Sequence, residues 1–408
     1  MKQKIFSLSL VVFMIGAMVL SGCAPQAAAE KPAAEQPAAS APVATGFDFD
    51  KSDKVVFGVL TYLTGKNMEQ GLRSKAIVDL AVEQLNAAGG VLGKKVEVQY
   101  FDSGNDQQTV LNSVQKIVAT EGMSGFFGCM YSGDTIAYLP TITKAKMVSL
   151  TAGNSENVLK QNNPYIWMPR ISDARFSEIM ANLAIQTIGM KKPAIIFANN
   201  ASGQSFRDKV VETLKAAKMT PVFELSYDPA TTTNYAPFVS ALINSGADGL
   251  LLSANSSDSS GVLSTTAIKQ GGFTGPVVAF PALMRLDTIA QAGGAMEGYY
   301  AVAEFDVESK DPLISKVVSE FRAKYPNMQP TWIEAVFYDS LMLLVEAAKI
   351  ANSTNPEKIN EGMAKIKDFK GMMGSHSFHA DHATADGIYT ARVDKGQIIF
   401  GDYLKRAQ

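Results

Sequence analysis

The chain switches between two hydrophobic periods in a steady rhythm, and that rhythm limits the folds open to it. From Lys54 onward, short apolar runs that read as buried strands alternate with stretches whose apolar residues recur at helical spacing. Val55-Val56-Phe57-Gly58-Val59-Leu60 is the first run; Ile77, Leu80, Ala81, Leu85 and Ala88 then mark one helix face, closed by Gly89-Gly90. Val96, Val98 and Tyr100 alternate as a second strand, and Val110, Val114, Ile117 and Val118 form a second helix face before a strand around Phe126. The rhythm restarts after Pro193, with strands expected at 194–197, 222–227, 249–252 and 276–280 and helices opening near Ser205, Tyr235, Gly261 and Leu286. Alternation of this kind builds parallel sheets covered by helices on both faces. Two runs of it predict an α/β fold with two doubly wound parallel-sheet lobes. Helices expected at 312–325, 331–351 and 356–366 bring little sheet of their own and are expected to pack on the first lobe, while 388–404 alternates as strands.

Two strand-to-helix joints between residues 124 and 159 attract attention. One runs Gly125-Phe126-Phe127-Gly128-Cys129-Met130-Tyr131-Ser132-Gly133-Asp134-Thr135, the other Met147-Val148-Ser149-Leu150-Thr151-Ala152-Gly153-Asn154-Ser155. Each ends an apolar run in small hydroxyl and glycine residues. A helix opened there leaves backbone N–H groups unpaired, and Ser or Thr adds a hydroxyl. Side by side at the carboxyl edge of a parallel sheet, two such joints make a seat for a carboxylate. The same residues also read as ordinary caps and turns.

With 408 residues and 47% hydrophobic content, the chain has material for two or three domains. Lys plus Arg number 37 against 39 Asp plus Glu, a balance that speaks against a nucleic-acid partner. Lys2 and Lys4 precede an apolar run over 5–20, too short and wrongly flanked for a spanning helix, which ends in Leu20-Ser21-Gly22-Cys23. That ending resembles the lipobox of bacterial lipoproteins, so 1–22 reads as a signal peptide and Cys23 as the lipidated residue. Residues 23–53 then form a tether, rich in Ala and Pro and without the apolar periodicity of an ordered segment. Cys129 is left without a partner and is expected to pack as a small apolar residue.

Several words in the chain resemble the type I periplasmic binding proteins, in particular the branched-chain amino acid (Leu/Ile/Val) receptor group of ABC transporters. They are Val59-Leu60-Thr61-Tyr62-Leu63-Thr64-Gly65, Asn86-Ala87-Ala88-Gly89-Gly90-Val91-Leu92-Gly93-Lys94, Phe101-Asp102-Ser103, Ile171-Ser172-Asp173-Ala174, Gly298-Tyr299-Tyr300 and Phe337-Tyr338-Asp339-Ser340. The resemblance implies two lobes joined by three hinge crossings, 54–172 with 304–374 and 173–303 with 375–408, and a ligand in the cleft between them. It implies that Ser132 holds the ligand's α-carboxylate, that Ser155 supplies a second hydroxyl and Gly153 a backbone contact, with Thr151 in the same joint. Tyr62 and Tyr131 are placed on the apolar side of the pocket. The family's acid for the ligand ammonium falls at Phe280-Pro281-Ala282 here. A buried ammonium would then lack a counter-charge, unless Asp258 supplies it. The family's cleft tyrosines match Ser202 and Ser257, giving a small, polar second wall with Asn200 and Ser256. Arg175 stands at a helix start, where it either clasps a second carboxylate or pairs with Glu178.

The implied role is that of an extracytoplasmic, lipid-anchored, monomeric receptor that closes on a branched-chain or related amino acid and is recognised by an ABC permease with its ATPase. A small non-amino carboxylate such as an aromatic acid is the alternative ligand, and chemosensory reception the alternative role. No cofactor and no enzymatic activity are expected: no Gly-x-Ser-x-Gly elbow or phosphate loop is present. His376, His379, Asp381 and His382 are residues of the kind that hold zinc, but strand alternation would send the histidines to opposite faces.

Overall fold

The computed structural model describes residues 46–254, 260–384 and 387–405. The leader 1–22, Cys23, the tether up to residue 45, and Ser256, Ser257 and Asp258 lie outside the described residues.

The first lobe carries strands β1 (Lys54–Thr61), β2 (Lys95–Asp102), β3 (Met123–Gly128), β4 (Ser149–Thr151) and β5 (Ile166–Trp167), all parallel, in the order β2-β1-β3-β4-β5. Its helices α1 (Met68–Ala87), α2 (Gln107–Ala119), α3 (Ser132–Ala145) and α4 (Glu156–Leu159) follow the first four strands in turn. Burial explains the sequence pattern. β3 is buried at every position and β1 at every position after Lys54, whereas the edge strand β2 exposes Lys95 and Gln99 and is mostly half-buried.

The second lobe opens with α5 (Asp173–Asn182) and repeats the plan: β6 (Pro193–Ala198), α6 (Ala201–Ala216), β7 (Phe223–Tyr227), α7 (Ala236–Asn244), β8 (Gly249–Leu252), α8 (Ser260–Gln270), β9 (Val277–Ala279), α9 (Leu286–Gln291) and β10 (Tyr300–Ala303). The chain then returns to the first lobe. There α10 (Pro312–Lys324), α11 (Trp332–Ala351) and α12 (Pro356–Met363) join its core, as expected; Phe337 meets Phe127 edge-on at 6.0 Å. The hairpin β11 (Phe369–Gly371) and β12 (Gly374–His376) follows, before β13 (Gly387–Asp394) and β14 (Gln397–Lys405) complete the second sheet in the order β14-β13-β10-β9-β8-β6-β7.

One expected boundary needs correcting. Residues 375–384 pack with the first lobe rather than the second, and the chain is next found in the second sheet at β13, from Gly387. The reason is a buried carboxylate: Asp339 on α11 accepts the amides of Met372 and Met373, each at 2.7 Å, and lies 2.9 Å from His376 Nε2. Beyond it, Phe378 packs edge-on against Trp167 at 5.1 Å, His382 stacks on the same indole at 3.8 Å, and Ala383 bridges Met168. His379 is exposed, so the three histidines do not converge.

In both sheets the first strand is flanked by the second and third, and the winding direction reverses between them. That reversal opens a crevice at the carboxyl ends of β1 and β3 in one lobe and of β6 and β8 in the other.

Candidate ligand cleft

A cavity of about 330 Å³ lies where these crevices meet. Lobe one lines it with Tyr62, which follows β1, with Met130 to Gly133 after β3, with Asn154 after β4, and with Gln70, Trp332 and Ile333 from α1 and α11. Lobe two contributes Asn200, Ala201 and Ser202 after β6, Phe280, Pro281 and Ala282 after β9, and Phe176 and Arg285; Arg170 stands at the first crossing.

The Ser132 wall follows from backbone constraints. A Cβ on Gly128 would lie 2.0 Å from the Leu60 carbonyl oxygen, and the chain here runs through positive φ at Gly128 (123°) and Cys129 (55°) before turning into α3. Cys129 is buried, as expected, and burial pushes its thiol up to about 12. Ser132 and Gly133 then open α3 at the cavity wall, where the first turn has N–H groups without intrahelical acceptors. Ser132 Oγ accepts the Ser155 amide at 3.0 Å, and Gly153 packs so closely that a Cβ there would come within 2.9 Å of Ser132 N and Oγ. The two joints therefore do meet, with Ser132 at their junction.

Ser155 and Thr151, the other hydroxyls singled out in these joints, are buried and are not among the lining residues. Ser155 Oγ accepts the Asn157 amide at 3.3 Å and caps α4, so this residue reaches Ser132 through its backbone. Thr151 Oγ1 lies 2.8 Å from Thr135 Oγ1 and accepts the Gly153 amide at 3.0 Å, wholly buried behind the wall. Gly153 acts as a spacer, its amide shared between Thr151 Oγ1 and the Cys129 carbonyl.

Tyr131 and Tyr62 line the cavity as a T-shaped pair at 6.4 Å. Burial holds the Tyr62 phenol well above its ordinary range, so it is a neutral hydroxyl at any working pH. On the opposite wall Asn200 Oδ1 accepts the Gly203 amide at 2.9 Å, capping α6 and setting Ser202 in its first turn at the cavity. Phe280 is held edge-on by Phe176 and Phe206, at 5.0 and 5.7 Å.

Two guanidinium groups, which sequence reasoning missed, border the cavity: Arg170, buried, and Arg285, half-buried. Arg170 sends Nε and Nη2 to the two oxygens of Glu304 at 2.9 and 2.5 Å, sends Nη1 to the Ala152 carbonyl at 2.5 Å, and lies 4.1 Å from the Trp332 ring. This pair joins the first two crossings. Arg285 forms a two-pronged pair with Asp287 through Nε, at 3.0 Å, and Nη2. Arg175, the arginine singled out from sequence, instead pairs with Glu178 at 2.7 Å and lies in an outer hollow. Arg175 and Arg285 take acids two or three residues away, whereas the partner of Arg170 is 134 positions along the chain. Among the described residues that line the cavity there is no Asp or Glu.

Comparison with known proteins places the chain. Residues 54–397 match the model of a family described as periplasmic binding protein. A Leu/Ile/Val-binding protein homologue of Brucella abortus is 23% identical over 332 residues, 77% of this chain and 82% of that protein. The branched-chain amino acid transporter substrate-binding protein LivJ of Streptococcus pneumoniae, solved with isoleucine, aligns with a TM-score of 0.76 at 22% identity, covering 86% of this chain and all of that one. A solute-binding protein of an ABC transporter from Rhodopseudomonas palustris, solved with 3,4-dihydroxybenzoic acid, aligns at 0.77 and 18% identity, covering 88% of this chain and 99% of that one.

Proposed function

The chain belongs to the periplasmic binding protein family, and from that premise we propose that it is the solute receptor of an ABC importer, tethered outside the cytoplasm through Cys23 and closing on a small carboxylate with an apolar or aromatic body. One observation carries this reading. The opening turn of α3, with Ser132 and Gly133, faces a cavity bordered by Tyr62, Tyr131, Phe176, Phe280 and Trp332, and no acid is found among its described lining residues. N–H groups and a hydroxyl at a helix start suit an anion. Among the described lining residues no carboxylate stands ready for an ammonium, which would be costly to bury without one. Lobe closure is a population shift toward the form in which both walls touch the ligand.

The solved relative that holds a dihydroxybenzoic acid supports this ligand class. A second reading, a branched-chain amino acid, is supported by the relatives named for Leu, Ile and Val and by the isoleucine complex; it requires an acid such as Asp258. Thermal shift of the ligand-stripped protein with L-leucine, L-isoleucine, benzoate and 4-hydroxybenzoate separates the two. Ligand at a thousandfold its Kd adds about 4 kcal/mol of stability, and benzoates alone are expected to produce the shift. A shift with amino acids only would transfer the site to the second reading. Ser132→Ala is expected to abolish the response, and an unchanged response would remove Ser132 from the site.

A further inference from the structure

Asp173 is the first residue beyond the first crossing, and its side chain is wholly buried. Its amide donates to the Asn154 carbonyl at 2.9 Å, and its Oδ1 accepts the Glu156 amide at 2.9 Å. Those two bonds bracket Ser155, whose own amide holds Ser132 Oγ. The same Oδ1 accepts the Ser205 hydroxyl of α6 at 2.7 Å and the Ala174 amide at 2.7 Å. A single carboxylate oxygen thus gathers donors from α4 of lobe one and from α5 and α6 of lobe two.

We infer that Asp173 is a positioning residue that ties the Ser132 rim of lobe one to lobe two, so that the rim's geometry and the orientation of the second lobe are set together. Four bonds run in sequence from the rim to the second lobe: Ser155 N–H to Ser132 Oγ, Asp173 N–H to Asn154 O, Glu156 N–H to Asp173 Oδ1, and Ser205 O–H to the same oxygen. The inference rests on the reading of that rim as the ligand's seat, although the tie itself is measurable without ligand.

Charged groups on the elements around it are Glu156 on α4 and Lys160 at its end, Arg207, Asp208, Lys209, Glu212 and Lys215 on α6, and Arg175 and Glu178 on α5. Ion pairs join Glu156 with Lys160, Arg207 with Asp208, Lys209 with Glu212, and Arg175 with Glu178, and Lys215 stands in the last turn of α6, ten residues beyond Ser205. Burial pushes Asp173 up to about 6, against the pull of its hydrogen bonds from Glu156 and Ser205. Each donor favours the ionised form, so removing one raises the titration further.

The test is amide hydrogen exchange and urea unfolding of the ligand-free protein in four forms: wild type, Asp173→Asn, Asp173→Ala and Ser205→Ala. Asp173→Ala is expected to speed exchange at Glu156 by at least tenfold, a lobe-one amide responding to a lobe-two residue. If that variant fails to fold, Asp173→Asn carries the test through pH. Because the folded titration lies above the unfolded one, ionisation of Asp173 lowers stability as pH rises from about 4 through about 6. The stability difference between wild type and Asp173→Asn should show that fall, and in Ser205→Ala it should move to higher pH. A Glu156 amide unaffected by Asp173→Ala, or a profile unmoved by Ser205→Ala, overturns the inference. Absence of any carboxylate-induced thermal shift would instead defeat the ligand reading and leave the exchange result standing.

Discussion

Replacing Glu304 by Gln tests the junction on which the cleft is built. The side chains of Arg170 and Glu304 are 6% and 2% exposed, and they share two hydrogen bonds at 2.9 and 2.5 Å. Glutamine preserves shape and removes the negative charge. Arg170 then keeps one acceptor oxygen at position 304, the Ala152 carbonyl and the Trp332 face, but faces an amide NH2 where its second oxygen partner stood and has no counter-charge. Breaking one side of a buried pair costs about 3–5 kcal/mol, because the other charge stays buried without compensation. With a urea dependence on the order of 3 kcal/mol per molar, the midpoint should fall by about 1–1.7 M. The control is a double variant, Arg170→Met with Glu304→Met, which removes both charges and should recover most of the loss, giving a large coupling energy in the cycle. A Glu304→Gln loss below about 1 kcal/mol, or a double variant no better than the single ones, would refute the claim that charge compensation holds these crossings together.

Two other perturbations follow from contacts of the same kind. Gly71→Ala would set a Cβ 1.6 Å from the Tyr62 carbonyl oxygen, so α1 and the Tyr62 segment must separate. The expected cost is about 1–3 kcal/mol together with weaker ligand binding, and calorimetry showing neither would mean the segment yields freely. His382 stacks on Trp167, and burial holds its titration below the ordinary histidine range. Its contribution is therefore present above about pH 6.5 and lost as pH falls through its lower folded value. His382→Phe should flatten the urea midpoint between pH 6.5 and 5, and a slope equal to that of the wild type would assign the dependence to other groups.

Much of the architecture was written in local periodicity. Strands that are buried throughout, such as β6 and β8, carry uninterrupted apolar runs, and helices such as α1 and α11 carry apolar faces, because each pattern reflects only which side of an element meets water. The opening of α3 at Ser132 was legible for the same reason, since a buried strand that ends in small hydroxyl residues can be read without knowing its neighbours.

What Thr151 and Arg170 do, and which joint hydroxyl meets the cavity, was decided by tertiary structure. Ser155 and Thr151 look like Ser132 in sequence, yet one caps α4 and the other is sealed behind the wall by Thr135. Arg170 becomes a cavity residue through Glu304, a partner 134 positions away, and the stretch after β11 stays with the first lobe because Asp339 gathers the turn between β11 and β12. A hydrogen bond between distant residues leaves no periodic trace in the chain, so these assignments come into being only when the lobes are assembled.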